Sequence, residues 1–195
     1  MKNKKNIKNW IKSAFIAVLI IIILAFLALL FNYYVVDVVT VFGTSMEPTL
    51  EEYQNVYISR YFMITGFNFE RGDIINFEEP TENAYISNDN PLAIYDAETT
   101  IGFFKHFNSE TNYCIKRIIG LPGEHIEIKD GKIYINEEKL EEDYISSDIA
   151  TISSNLSDFI VPENTVFVLG DNREHSGDSR EFGCIPFERI DGVAY

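Results

Sequence analysis

Cysteine and histidine are scarce in this 195-residue chain, which has only Cys114 and Cys184 of the first and His106, His125 and His175 of the second. Two cysteines cannot build a disulfide framework. They either pair in an oxidising compartment or act as small apolar core residues, and the sequence leaves both open. With so few soft ligands there is no metal-ligand spacing, and no glycine loop of the phosphate-binding kind, so no cofactor or metal is expected. Basic residues are also in short supply, 16 against 30 acidic ones for a net charge of -14. Five of the 16 (Lys2, Lys4, Lys5, Lys8 and Lys12) lie in the first twelve residues, and no acid precedes Asp37. Everything after the N-terminal region is therefore strongly acidic. Such a surface repels nucleic acid, which is excluded as a partner. Internal repeats and long amphipathic helical patterns are also missing.

A long apolar run is present. Ala14 to Phe31 contains 18 uninterrupted apolar residues, which as a helix reach about 27 Å, enough to cross a hydrocarbon core. Lysines on its N-terminal side hold that end in the cytoplasm. A cleavable signal peptide would have a shorter apolar region followed by a small-x-small site, and the flank LALLFNYYVV offers none. The expected organisation is a cytoplasmic basic segment over 1–12, a transmembrane anchor over 13–31 and an extracytoplasmic domain over 32–195.

The outer domain reads as mainly β. Tyr33–Phe42, Val56–Met63, Ile74–Phe77, Tyr113–Ile119 and Thr165–Leu169 are short β-branched or aromatic runs bounded by breakers. His125–Ile128 and Lys132–Ile135 alternate and are joined through Asp130-Gly131, a strong hairpin signal. Glu79 to Asn112 is polar and broken by Pro80, Pro91 and Gly102, but its aromatics argue against disorder. It reads as a variable insertion with short strands of its own.

Three polar fragments interrupt this pattern. Ser45-Met46-Glu47-Pro48-Thr49 follows Gly43-Thr44 at the end of a strand, where the backbone turns and leaves a hydroxyl exposed beside N–H groups. A serine hydroxyl needs a base to become a nucleophile. His106 and His125 read as surface residues. A lysine can serve as the base if burial lowers its pKa from about 10.4 toward neutrality. Lys116, in Tyr113-Cys114-Ile115-Lys116-Arg117-Ile118, shares a strand face with Cys114 and Ile118, while Arg117 points the other way. The plain alternative is a lysine that snorkels from a sheet edge. The third fragment runs Gly170-Asp171-Asn172-Arg173-Glu174-His175-Ser176-Gly177-Asp178-Ser179-Arg180. Its short polar side chains suit a loop that satisfies its own backbone, and Asp178 with Arg180 makes a candidate charge pair.

Together these fragments resemble the type I signal peptidases. That family's nucleophile box, Ser-Met-x-Pro-Thr, matches Ser45 to Thr49, and its base box, Lys-Arg-x-x-Gly, matches Lys116 to Gly120. Its Gly-Asp-Asn-Arg-x-x-Ser-x-Asp-Ser-Arg box matches Gly170 to Arg180. Arg-Gly-Asp-Ile matches Arg71 to Ile74, and the order and the N-terminal anchor agree. The resemblance implies a signal-peptidase-like antiparallel β domain and a membrane-anchored serine endopeptidase that removes signal peptides from secretory preproteins after Ala-x-Ala sites. It implies Ser45 as nucleophile, Lys116 as general base and Ser176 as a hydrogen-bond partner of the lysine amine. Asp178 and Arg180 would brace the site, Asp171, Asn172 and Arg173 would shape the loop, and the Ser45 N–H would receive the oxyanion. Val41, Met46, Leu50 and Ile115 would line shallow pockets for small side chains.

The sequence departs from the family in places. Gly43 stands where some members carry a second oxyanion donor. Only 49 residues, Leu121 to Leu169, separate the base box from the third box, so a second β unit must be small. Members usually continue for a further strand beyond the point where this chain stops, at Tyr195. A lysine base separates it from the histidine-using relatives of the endoplasmic reticulum and makes His175 a spectator. Self-cleaving repressors share the core but carry a DNA-binding domain. A non-catalytic relative that binds preproteins or a partner typically loses Ser45 or Lys116, and both are present here. The expected partners are preproteins and the lipid bilayer, with Tyr61–Ile64 and Phe67–Phe69 as candidate lipid contacts; the alternative is that these aromatics fill the core.

Overall fold

The computed structural model describes residues 2–34, 36–61, 66–80, 86–95, 112–146, 148–153 and 155–195. The first element, α1, spans Lys2–Tyr34. Neither glycine nor proline interrupts it, and its centre is Leu, Ile and Ala, so nothing in the sequence stops the helix. Within it Trp10–Phe31 is long and apolar enough to cross a membrane, and none of its 18-residue apolar window is buried inside the protein, which fits membrane anchoring.

The strand expected from Tyr33 starts later, as β1 (Val36–Thr40). Extending an existing helix by a turn needs no new nucleus, whereas starting a strand does, so the aromatic pair Tyr33-Tyr34 stays helical. The next strand, β2 (Asn55–Ser59), is also shorter than the run Val56–Met63 suggests. It ends where Arg60 turns inward, and residues 62–65 lie outside the described residues.

The domain after α1 consists of two antiparallel sheets. The larger adds β3 (Ile74–Glu78), β4 (Tyr113–Gly120), β9 (Thr165–Leu169), β10 (Ile185–Pro186) and β11 (Ile190–Ala194), in the order β1-β2-β11-β3-β4-β9-β10. The smaller comprises β5 (His125–Lys129), β6 (Lys132–Ile135), β7 (Glu138–Lys139) and β8 (Asp158–Ile160), ordered β7-β6-β5-β8. Asp130 and Gly131 both have positive φ, 51° and 72°, and set the register Ile128↔Ile133 of the β5–β6 hairpin. The primed turn matches the twist of the strands it joins.

The sequence pattern misses β11 because it contains Asp191 and Gly192. A side chain at Gly192 would collide with Ile58 and would lie 2.9 Å from the Ser59 carbonyl. Glycine here allows close approach of β2, which is its usual meaning in a strand. The strands β7, β8 and β10 are only two or three residues long, too short for alternation to register.

Strand β9 is buried at all five positions because each face meets a different core. Phe167 and Leu169 join Ile126, Ile133 and Phe159 of the small sheet, while Val166 and Val168 join Ile75, Phe77 and Ile118. A third cluster, Val41, Met46, Leu50, Val56 and Ile58, lies under the turn that follows β1. Cys114 and Cys184 are both free thiols, and Cys184 is a fully buried core residue. Of the stretch Glu79 to Asn112, residues 81–85 and 96–111, His106 among them, lie outside the described residues. The described part makes a tight Ser87–Asn90 turn and a bridge from Leu92 to Cys184.

Candidate active site

The serine turn is pinned from below. Met46 is 1% exposed and anchors the turn in the third core cluster. Val41 N–H donates to Gln54 O and Tyr53 N–H to Val41 O, both at 2.8 Å. Leu50 N–H donates to Met46 O at 2.9 Å. Gly43 enters the turn with φ +80°, a conformation glycine adopts without cost. Ser45 O accepts from Asn172 N–H, and Thr44 O from the Asn172 side-chain amide, each at 3.1 Å. Among the described residues the Ser45 N–H has no acceptor.

Lys116 projects from β4 toward this turn. Its Nζ lies 2.8 Å from Ser45 Oγ and 2.9 Å from Ile115 O. The residue is 5% exposed. Burial pushes its pKa below the ordinary lysine value, against the opposing pull of Cys114, Asp178 and Glu79. A buried amine disfavours its charged form, so this amine can take a proton from the serine hydroxyl beside it. Burial in turn pushes the Cys114 thiol up to about 11, which keeps it protonated.

The loop after β9 closes the site. Asp178, fully buried, accepts from Arg180 Nε and Nη2 at 2.8 Å each and from Gly170 N–H at 3.1 Å. It also caps α2 (Ser179–Phe182) through Arg180 N–H. Arg180 Nη2 returns to Arg173 O at 2.8 Å and Ser176 O at 3.2 Å. Asp171 accepts from Arg117 at 2.9 and 2.6 Å and from Thr49 Oγ1 at 2.5 Å, so it joins the base strand to the serine turn. Asp178→Ala strands a buried guanidinium and a buried N–H, and should cost about 3–5 kcal/mol. Urea unfolding of the detergent-solubilised protein checks this; a loss below about 1 kcal/mol contradicts it.

Ser176 departs from expectation. Its hydroxyl is buried but has no hydrogen-bond partner among the described residues, and the lysine amine bonds Ser45 and Ile115 O instead. Ser176 packs against Gly170 beside the Ser45 carbonyl. His175 sits in a single 3-10 turn, Arg173–His175, and is exposed. His125 pairs with Asp158 at the surface at 2.7 Å.

A cleft of about 610 Å³ opens beside the pair. Val41, Met46 and Ile115 line it; Leu50 does not, lying beneath in the third core cluster. Motif reading did not single out the polar end of the cleft, where Arg60 pairs with Asp37 at 2.9 Å and Asp191 at 2.8 Å. Nor did it single out Glu142 and Tyr144, the partners of Arg173 and Arg117, or Thr151, whose hydroxyl accepts from Arg173 Nη1. The first two belong to Glu141-Glu142-Asp143-Tyr144, which reads as a solvated acidic run. Among the described residues no cluster of His, Cys, Asp or Glu is arranged to hold a metal ion.

A hydroxyl against a buried amine, at the edge of an apolar cleft, is an arrangement in which a neighbouring base can activate a nucleophile. The profile described as "Signal peptidase, peptidase S26" matches residues 7–195, and the chain belongs to that family. Similar relatives include Signal peptidase I of Bacillus licheniformis, 30% identical over 98% of this chain and 89% of the relative. Signal peptidase I P of Bacillus subtilis subsp. natto is 32% identical over 92% of this chain and 81% of the relative. A crystal structure of a signal peptidase I from Enterococcus faecalis V583 is 30% identical and covers 65% of this chain and 97% of that one, with a TM-score of 0.42. The family makes the chain a peptidase of signal peptide processing.

Proposed function

We propose that the protein is a membrane-anchored serine endopeptidase with a Ser45/Lys116 dyad that cuts preproteins after small-x-small sites. The 2.8 Å approach of Lys116 Nζ to Ser45 Oγ carries the reading. Ser45 Oγ attacks the scissile carbonyl as its proton passes to neutral Lys116. The resulting oxyanion is received by the Ser45 N–H. Collapse expels the mature protein's amine, which takes the proton from Lys116 and leaves an acyl-enzyme. Water then attacks that ester, giving its proton to Lys116, and the signal peptide departs as a carboxylic acid while Ser45 regains its hydrogen. Asp178 and Arg180 brace the loop beneath this chemistry, Asp171 and Asn172 hold it to the serine turn, and Arg173 holds Gly170 O within it.

The edges of the cleft suit an extended peptide. Among the described residues β1 pairs only with β2, and β4 pairs with β9 only from Arg117 onward. Cys114 to Lys116 therefore offer a backbone edge to which a substrate strand can add. In such a strand the first and third side chains before the cut point the same way, toward Val41, Met46 and Ile115. The test is cleavage of a fluorogenic Ala-x-Ala peptide in detergent. Cutting after the second Ala supports the reading; failure on several such peptides supports a non-catalytic relative that binds preproteins.

The lysines in the first turns of α1 favour an N-terminus in the cytoplasm and a β domain outside. Phe67 and Tyr61 are 52% and 57% exposed, whereas Phe69 belongs to the core. Val36, just past α1, pairs with Ser59, so Tyr61 lies close to where the chain leaves the helix. These aromatics are placed to meet the lipid interface. In a Trp10→Phe background, Phe67→Trp reconstituted in vesicles should be quenched by brominated acyl chains. Quenching by aqueous iodide alone would place residue 67 in water.

A further inference from the structure

We propose that Tyr144 and Glu142, in the connection between β7 and β8 of the small sheet, are positioning residues that lock the two arginines behind the serine turn. This rests on the peptidase reading given above. The Arg117 guanidinium lies over the Tyr144 ring, 4.1 Å from its centroid. The same guanidinium reaches Asp171, Gly72 O at 2.9 Å and Thr49 Oγ1 at 3.3 Å. Thr49 ends the fragment that carries Ser45. The Tyr144 hydroxyl donates to Glu142 Oε1 at 2.7 Å. Glu142 in turn accepts from Arg173 at 2.5 and 3.3 Å, and Arg173 Nε holds Gly170 O at 3.0 Å.

The Glu142 and Arg173 side chains are 9% and 0% exposed, so this ion pair is shielded from water, unlike a surface bridge. Tyr144 also packs against the core cluster between the sheets. Burial, with Glu142 beside it, pushes the phenol well above its ordinary range, so the hydroxyl remains a donor. The small sheet thus does more than cover the large one. Its β7–β8 connection presents an aromatic face to one arginine and a carboxylate to the other, and those arginines hold Thr49 through Arg117 and Gly170 through Arg173. Neither Tyr144 nor Glu142 lines the cleft, so both act through other groups and touch no substrate.

The test is a double-mutant cycle on the full-length protein in detergent, with thermal unfolding measured in parallel. Tyr144→Leu should lower kcat about tenfold and leave KM within twofold. Thr49→Ala removes the far end of the same chain, so adding Tyr144→Leu to it should change kcat by less than twofold. Tyr144→Phe keeps the ring and should retain at least half the wild-type kcat. A merely structural role gives multiplicative losses that follow the unfolding temperature, and that result overturns the proposal, as does wild-type kcat in Tyr144→Leu. If Tyr144→Leu does not fold, Glu142→Gln takes its place, with the same expected loss and a cycle against Arg173→Lys, which loses the Nε bond to Gly170 O. A wild-type protein with no activity removable by Ser45→Ala overturns the peptidase reading instead, and the proposal with it.

Discussion

Ser45→Ala and Lys116→Met should each reduce cleavage of an Ala-x-Ala peptide to background, a loss on the order of 10⁶-fold in kcat when the nucleophile or base of such a unit is removed. The double variant should be no worse, because the two groups act as one unit. Retained activity in either single variant would move the chemistry elsewhere. The pH dependence follows from the amine. Lys116 works as a base only when neutral, and burial lowers its pKa. The kcat/KM of the wild type should therefore fall as pH drops through that lowered value and level off above it. Stability carries the same signature. The unfolded chain binds a proton at Lys116 near pH 10.4, before the folded protein does. The wild type thus loses stability as pH falls from there to the folded value, and the penalty is constant below. Lys116→Met lacks this penalty and should be more stable than wild type at pH 7, by a margin that shrinks toward pH 11. Urea unfolding at several pH values measures the difference; a margin independent of pH would mean that the lysine is not desolvated.

What the sequence reveals depends on whether the relevant signal is local. The β5–β6 hairpin is legible because Asp130-Gly131 and the flanking alternation lie within one short stretch. The apolar helix is legible for the same reason, although its last turn overrides the β preference of Tyr33-Tyr34. Strand β11 is hidden because its pairing with β2 and β3 is entirely non-local, and because Gly192 is selected for the backbone it touches. The site divides in the same way. The face alternation of β4 is enough to set Lys116 beside Cys114 and Ile118, apart from Arg117. Nothing local brings Lys116 to Ser45, 71 positions away; only the resemblance of the three fragments to one family joins them. Glu142 and Tyr144 belong to no such motif, and their partners Arg173 and Arg117 are 31 and 27 positions away, so they emerge only from the folded geometry.

Gly170→Ala should lower kcat about 100-fold with little change in the cleft itself. Gly170 is not in a glycine-only conformation, so the backbone tolerates alanine there and the objection is space. A Cβ at this position would lie 2.5 Å from the Ser45 carbonyl and 2.6 Å from Ser176 Cβ, and closer still to the Ser176 hydroxyl. Those atoms are not the loose ends of long side chains. The Ser45 carbonyl is held by Asn172 N–H, and Gly170 is held by Asp178 and Arg173. The collision is relieved only if the serine turn and the loop move apart. A displacement of about 1 Å at the reacting group is enough to cost on the order of 100-fold. Gly177→Ala is the control from the same loop, since its Cβ would meet nothing nearer than Glu181 Oε2 at 3.5 Å, and it should keep kcat within twofold. Lys116 stays buried in both variants, so the pH at which activity falls should not move. Wild-type kcat in Gly170→Ala would show that the loop gives way without carrying Ser45 along, and that the contact between the two is looser than its hydrogen bonds suggest.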